Sequence, residues 1–452
     1  MRRLWGKAVS VFLLYFCYVV IGMSVPFFFT KPVAEPAPPH MKGGKALAYI
    51  AESNAEALET RLAVIDQAKT RIVFSVFDIR KGKSTEDVFS HLVAAADRGV
   101  KVEILVDGLF GTLHMDGVPL FEACGAHDNI TVRYYNTPNP LKPWSINGRM
   151  HDKYLVVDDR YVLMGGRNQF DYFLGAYKKN HGLDREVLLV CAEKNPENTV
   201  CQVMDYYDKI KKEPFVKEKL TDHPSEKTLE KLRAHYRKQK TVKLIEPSEM
   251  MPVSGTALLH NGTGRFGKKP QVFSAVLSYI EKDRQETIIE TPYIVCSRGM
   301  RKALSNALKG GGEITLLVNS IASGDNVCAS ADYLLRRGSI LKTGMAVYEY
   351  MGDFSMHGKS VAVGNDIAII GSYNFDCRST YVDTETMLVL ESAEVNRKLR
   401  ENISVCMKSA LKVEKDGSYR EKEGIRPPEM TPLKKVTIAV LSGLFQGFRY
   451  LI

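Results

Sequence analysis

The sequence predicts an α/β fold in which one domain is written twice: two mixed β-sheets flanked by helices, a site where the two halves meet, and an N-terminal transmembrane helix. Three observations predict it. Amphipathic runs alternate with β-branched runs through the first half, the same order recurs in the second half, and each half closes on a His-containing segment of identical internal spacing.

A chain of 452 residues with 45% hydrophobic content can bury a core for two ordinary domains, which excludes global disorder. A net charge of +10 favours an anionic partner, and nucleic acid and an acidic lipid surface both qualify. The eight cysteines show no C-x-x-C pair and no ligand spacing, so no metal site and no cofactor are expected.

Residues 1–30 read as a membrane anchor. Arg2, Arg3 and Lys7 precede a run from Ala8 to Thr30 with no charged side chain, long enough to cross a hydrocarbon core of roughly 30 Å. A cleaved signal ending near Gly22, Met23 and Ser24 is the alternative. The basic amino terminus puts the remainder on the outer side of a cytoplasmic membrane. Residues 31–44, with the run PVAEPAPP, form a stiff extended stalk.

Residues 45–207 are the first domain: a helix over Ala46 to Lys69, a strand over Ile72 to Ile79, a helix over Ser84 to Arg98 and a strand over Val100 to Val106. Residues 208–250, dense in Lys and Glu, are expected to make exposed helices bridging the halves. Residues 251–415 repeat the pattern, with helices over Val272 to Asp283 and Ser297 to Lys309 and strands over Glu286 to Val295 and Glu313 to Ile321. The tail, 416–452, ends in an apolar run in which Ser442, Gln446 and Arg449 share one helical face. It lies on a lipid surface or packs against the body.

The chemistry sits in two constellations, H-D-K-Y-L-V-V-D from His151 followed after six residues by G-G-R-N, and H-G-K-S-V-A-V-G from His357 followed after six residues by G-S-Y-N. Residues two apart on a strand share a face, so His151 points with Lys153 and His357 with Lys359. A turn at Asp158 or Gly364 then sends a second apolar strand back as a hairpin, returning Asn168 and Asn374 towards their own histidines. A lone His-x-Lys is incidental; two copies in matching half-domains make a site.

These motifs resemble the H-x-K-x4-D-x6-G-[GS]-x-N pairs of the phospholipase D superfamily. The stretches DRGVKVEILVDG, ETPYIVCSRGM, LLVNSIASGDN and GSYNFDCRSTYVDTE are similar to the bacterial cardiolipin synthases within it, so the resemblance spans about Ala46 to Cys406. It departs at Gly364, which stands where the first motif has Asp158; both are read as turn-formers.

The resemblance implies a phosphohistidine mechanism, with His151 as nucleophile and His357 as general acid and base, or the two reversed. Lys153 and Lys359 bring positive charge to the phosphate, and Asn168 and Asn374 add neutral donors. Ser372 is expected to donate to the phosphate, and Gly166 to offer its backbone. Glu385 in D-T-E-T and Glu186 in D-R-E-V are expected to orient the imidazoles, with an inserted loop near 173–180 accounting for the longer spacing in the first half. The implied reaction joins two phosphatidylglycerols into cardiolipin with release of glycerol at the bilayer; hydrolysis of phospholipid is the alternative, then a nuclease, with no nucleic acid partner expected. A non-catalytic scaffold would tolerate loss of either histidine.

Overall fold

The computed structural model describes residues 2–28, 30, 41–191, 198–221, 225–240, 242–283 and 285–444. Residues 31–40 of the expected stalk and the last eight residues of the tail lie outside them, and 42–44, expected as stalk, are already the start of the first strand. Helix α1 (Arg2–Phe28) comes first, then β1 (Lys42–Ala51), α2 (Asn54–Asp66), β2 (Arg71–Val76), α3 (Lys83–Asp97), β3 (Lys101–Asp107), α4 (Gly108–His114), α5 (Pro119–Gly125) and β4 (Ile130–Tyr135). The first hairpin, β5 (Lys153–Val157) and β6 (Tyr161–Gly165), leads to β7 (Glu186–Cys191), and α6 (Thr199–Ile210), β8 (Val216–Glu218) and α7 (Glu226–Lys238) complete this half.

The second half runs through β9 (Met251–His260), α8 (Gln271–Asp283), β10 (Glu286–Glu290), β11 (Ile294–Val295), α9 (Arg298–Lys309), β12 (Glu313–Asn319), α10 (Val327–Leu341) and β13 (Ala346–Tyr350). Its hairpin, β14 (Ser360–Val363) and β15 (Ile367–Gly371), is followed by β16 (Phe375–Asp376), α11 (Cys377–Tyr381), β17 (Thr386–Glu391), α12 (Ala393–Lys408), β18 (Ala410–Lys412) and α13 (Pro432–Leu444).

In each half three parallel strands, β2-β3-β4 and β10-β12-β13, carry the hairpin antiparallel on one side. The expectation of two sheets is corrected, among the described residues, to one sheet of 16 strands with a separate two-stranded ribbon of β11 and β16. The joint is β1 against β9, paired antiparallel through Ala46↔Val253 and Ala48↔Met251. These two strands open the halves, and pairing them removes two exposed edges at once. The helix expected over Ala46 to Lys69 is accordingly a strand followed by a helix. Ala46, Ala48 and Ile50 alternate into the core, and Ser53 then caps α2 by accepting from Glu56 N.

The charged stretch expected to bridge the halves packs on the first one instead. Helix α7 buries Leu229 and Leu232, and Arg233 pairs with Asp97 at the end of α3. Its charged face is solvated, but its apolar stripe has a partner. Helix α13 lies on α10, with Ile438 buried and Lys434 Nζ donating to Ala322 O and Gly324 O, while Leu433, Val436 and Val440 stay exposed.

The expected transmembrane helix stands differently. The charge-free run does form α1, yet among the described residues no helix is long and apolar enough to cross a membrane. The helix leans on the body, where Tyr18 Oη donates to Leu141 O at 2.7 Å and Asn147 Nδ2 donates to Met23 O. Trp5, Phe12 and Leu14 on it are exposed.

Candidate functional site

Each histidine stands just ahead of the first strand of its hairpin, β5 or β14. Met150 bridges to Thr384 and Met356 to Leu183, so each histidine is laid beside the chain of the opposite half. The side chains follow. His151 Nδ1 lies 2.8 Å from Glu385 Oε1, and His357 Nδ1 lies 2.5 Å from Asp184 Oδ2. A carboxylate from one half thus fixes the imidazole of the other, leaving Nε2 as the nitrogen directed away from it.

Glu186, the expected partner in the first half, is corrected to Asp184. Gly165 pairs with Glu186 and Gly371 with Met387, so the register sets Asp184, not Glu186, opposite Glu385. Glu186 instead accepts from Arg61 Nη2 at 2.6 Å in a pair buried between β7 and α2. Side-chain parity could not separate two carboxylates two residues apart; only the register does.

Ser372 and Gly166 are likewise corrected. Ser372 Oγ donates to Glu385 Oε2 at 2.5 Å, so it holds the carboxylate and not a phosphate. A Cβ at Gly166 would fall 2.4 Å from Asp184 Oδ1, and its N–H already bonds to Arg185 O. Glycine there clears room for the Asp184 carboxylate.

Lys153 and Lys359 are both buried. Lys153 Nζ donates to His151 O at 2.7 Å, and Lys359 Nζ stands 2.7 Å from His357 Nδ1 and 3.2 Å from Nε2. The Asn168 and Asn374 Oδ1 atoms are buried with no partner among the described residues, while Asn374 Nδ2 donates to Tyr293 Oη. The two buried ammonium groups make a receptor for an anion, while the unused amide oxygens can only accept, from a hydroxyl or an N–H. Phe77 meets the His151 ring edge-on at 4.8 Å, and Phe173, in the inserted loop, packs on His357 at 4.7 Å. Neither ring was singled out from the sequence, where an aromatic beside a strand end carries no distinguishing signal.

The turn residues differ in their surroundings. Asp158 has φ of +51° and accepts from Lys69 N, Thr70 N, Thr70 Oγ1 and Arg71 N, tying the hairpin tip to the α2–β2 turn. Gly364 has φ of +52°, and a Cβ on it would lie 2.3 Å from Asp283 Oδ2. The second turn is closed by α8, which leaves no space for an aspartate. Arg378 braces the site from behind, reaching Asp383 and Asn147.

Burial, then Lys153, Lys359 and His357, lower His151 well below its ordinary value, which keeps the imidazole neutral. His357 is also lowered, by burial and Lys359, but Asp184 opposes the shift. Burial alone would raise Asp184; Lys359 and His357 outweigh it and hold the carboxyl at about 2. Burial lowers Lys153 to about 7 against the pull of Glu385, and it raises Glu385 against Lys153. The arrangement offers a neutral imidazole as nucleophile and a second one beside a carboxylate for proton transfer. His357, Phe77, Asn168 and Tyr293 line a cleft of about 790 Å³.

The sequence profile described as "Cardiolipin synthase, PLD-like domain" matches residues 62–210 and 276–407. An uncharacterized protein of Helicobacter pylori (strain ATCC 700392 / 26695) is 23% identical over 78% of both chains. Cardiolipin synthase C of Escherichia coli (strain K12) is 24% identical over 75% of this chain and 80% of its own. Among solved structures, a phosphatidylserine synthase of Haemophilus influenzae Rd KW20 aligns at a TM-score of 0.64 and 16% identity, covering 90% of this chain and 95% of that one. A polyphosphate kinase of Porphyromonas gingivalis aligns at 0.52 and 12% identity, covering 90% and 53%. Both structural likenesses concern the fold.

Proposed function

Since this chain belongs to the PLD-like domain family of cardiolipin synthases, within the phospholipase D superfamily, we propose that it is a phosphatidyltransferase that makes cardiolipin from two phosphatidylglycerols. The observation that carries this reading is the crossed pair of contacts, His151 to Glu385 and His357 to Asp184.

In the first half-reaction His151 Nε2 attacks phosphorus, the bond from phosphorus to the glycerol oxygen breaks, and His357 gives that oxygen its proton. The protein is left as a phosphatidyl-histidine. In the second, His357 takes the proton of the incoming phosphatidylglycerol hydroxyl, its oxygen attacks phosphorus, and the phosphorus–nitrogen bond breaks. Lys153, Lys359 and the two asparagine amides face the non-bridging oxygens throughout. The depressed protonation of His151 supports it as the nucleophile.

The substrate is a lipid, so the protein works at a bilayer, with the exposed apolar residues of α1 and α13 turned to it. Full-length protein incubated in chelator with labelled phosphatidylglycerol vesicles, and separately with DNA, tests the proposal. Cardiolipin together with released glycerol is expected. Phosphatidic acid as the sole lipid product, or DNA cleavage without lipid turnover, would overturn it.

A further inference from the structure

The two halves match at His, Lys and Asn, but the walls of the cleft do not. Ile79 bridges to Gln169, the residue after Asn168, and Ile294 bridges to Phe375, the residue after Asn374. Asp78, Arg80 and Lys81 therefore correspond in place to Tyr293, Val295 and Cys296. The first half puts charge where the second has a phenol and two buried, uncharged side chains.

This charge is organised. Arg80 Nε and Nη2 lie 2.8 and 2.7 Å from Asp78 Oδ2, and its guanidinium stacks 4.4 Å from the centre of the Phe170 ring. Two partners fix a side chain that is nearly half exposed, with Nη1 left over. Lys81 and Lys178 line the same cleft, and among the described residues neither has a carboxylate partner. Lys178 belongs to the inserted loop that also sets Phe173 on the His357 ring, a loop with no counterpart in the second half.

The acids on these walls do not cancel the cations equally. Asp78 is taken up by Arg80 and by His114 Nδ1 at 2.7 Å, and Asp171 caps α3 by accepting from Lys83 N, Ser84 N and Ser84 Oγ. Asp325 stands on the wall contributed by the second half. Asp325 is itself faced by His357, Lys359 and Lys434, so the second-half wall offers an anion little net charge, and the cations of the first-half wall draw it.

Resting on the transfer reading above, we propose that Arg80, Lys81 and Lys178 form a second phosphate subsite, which holds the phosphodiester of the incoming anionic phospholipid and selects it over neutral alcohols and water. Cardiolipin formation brings two phosphodiesters together, one reacting and one a glycerol away. The catalytic lysines and asparagines take the first, and the first-half wall takes the second. Its place beside His357 puts the acceptor hydroxyl next to the imidazole that deprotonates it.

The test is a competition between acceptors. Full-length protein turns over phosphatidylglycerol in phosphatidylcholine vesicles with ethanol present, and cardiolipin, phosphatidylethanol and phosphatidic acid are separated. Arg80→Gln and Lys178→Gln are each expected to lower the ratio of cardiolipin to phosphatidylethanol about threefold to fivefold, and the double variant about tenfold. Arg80→Lys keeps most of the ratio, Lys179→Gln, off the cleft, leaves it unchanged, and added salt lowers it in the wild type more than in the double variant. Should Arg80→Gln fail to fold, Lys178→Gln, on an exposed loop, carries the test. Parallel loss of both products, or a constant ratio, would overturn the subsite while sparing the transfer reading. Wild type that makes phosphatidylethanol or phosphatidic acid but no cardiolipin would overturn both.

Discussion

Lys153 can neutralise a phosphate only while charged, and burial brings its ammonium down to about 7 in the free protein. The kcat/KM of the wild type, which reports groups in the free protein, should therefore fall as pH rises through about 7. Lys153→Arg keeps its charge and should move that fall to higher pH, even at a reduced rate. A wild-type profile flat on the alkaline side of neutrality would contradict the assignment. Asp184 gives a stability effect of defined sign. Its folded value, about 2, lies below the ordinary 3.8, so its contribution is present above 3.8 and is lost as pH falls towards 2. That contribution is on the order of 2 kcal/mol, and the stability gap between wild type and Asp184→Asn in urea titrations should narrow over this acid range. At this scale the sequence displays the His, Lys and Asn residues, because their spacing repeats, but not Asp184, because its identification needs a register.

The two carboxylates that look alike in sequence do different work in their elements. Glu186 joins β7 to α2 through Arg61 with both side chains buried, so Glu186→Gln leaves an unpaired buried guanidinium and should cost about 3 kcal/mol or more. The rate of the protein that remains folded should stay near wild type. Glu385→Gln should do the reverse, lowering kcat about a hundredfold or more by releasing the His151 tautomer, with a smaller change in melting. Melting curves and steady-state rates measured on both variants separate the roles, and equal kinetic loss in the two would sink the distinction. The hairpins were legible because Asp158 and Gly364 punctuate two apolar runs of equal length. Strand β1 was not: its alanines favour a helix in isolation, and pairing with β7 and β9 overrides that preference.

Across the whole molecule the duplication could be read from the sequence, but the continuous sheet could not, since which edges meet is decided by β1 and β9 together. Their pairing, with the contacts of Met150 to Thr384 and Leu183 to Met356, closes one site from the two halves of a single chain. The crossed carboxylates reinforce this closure, because each imidazole draws its acceptor from the half it does not belong to. Arg185 adds a buried tie across the joint, bonding Glu290 of the second half and Glu52 of the first. A chain organised this way has no vacant half-site to lend. Mixing His151→Ala with His357→Ala protein should therefore restore no cardiolipin synthesis, and co-expressing them should restore none either. Were sites instead assembled between chains, random pairing of the two variants would produce some sites with both histidines intact. Recovery of a substantial fraction of wild-type activity in the mixture would show that the site is shared between molecules and that the fold within one chain is not the functional unit.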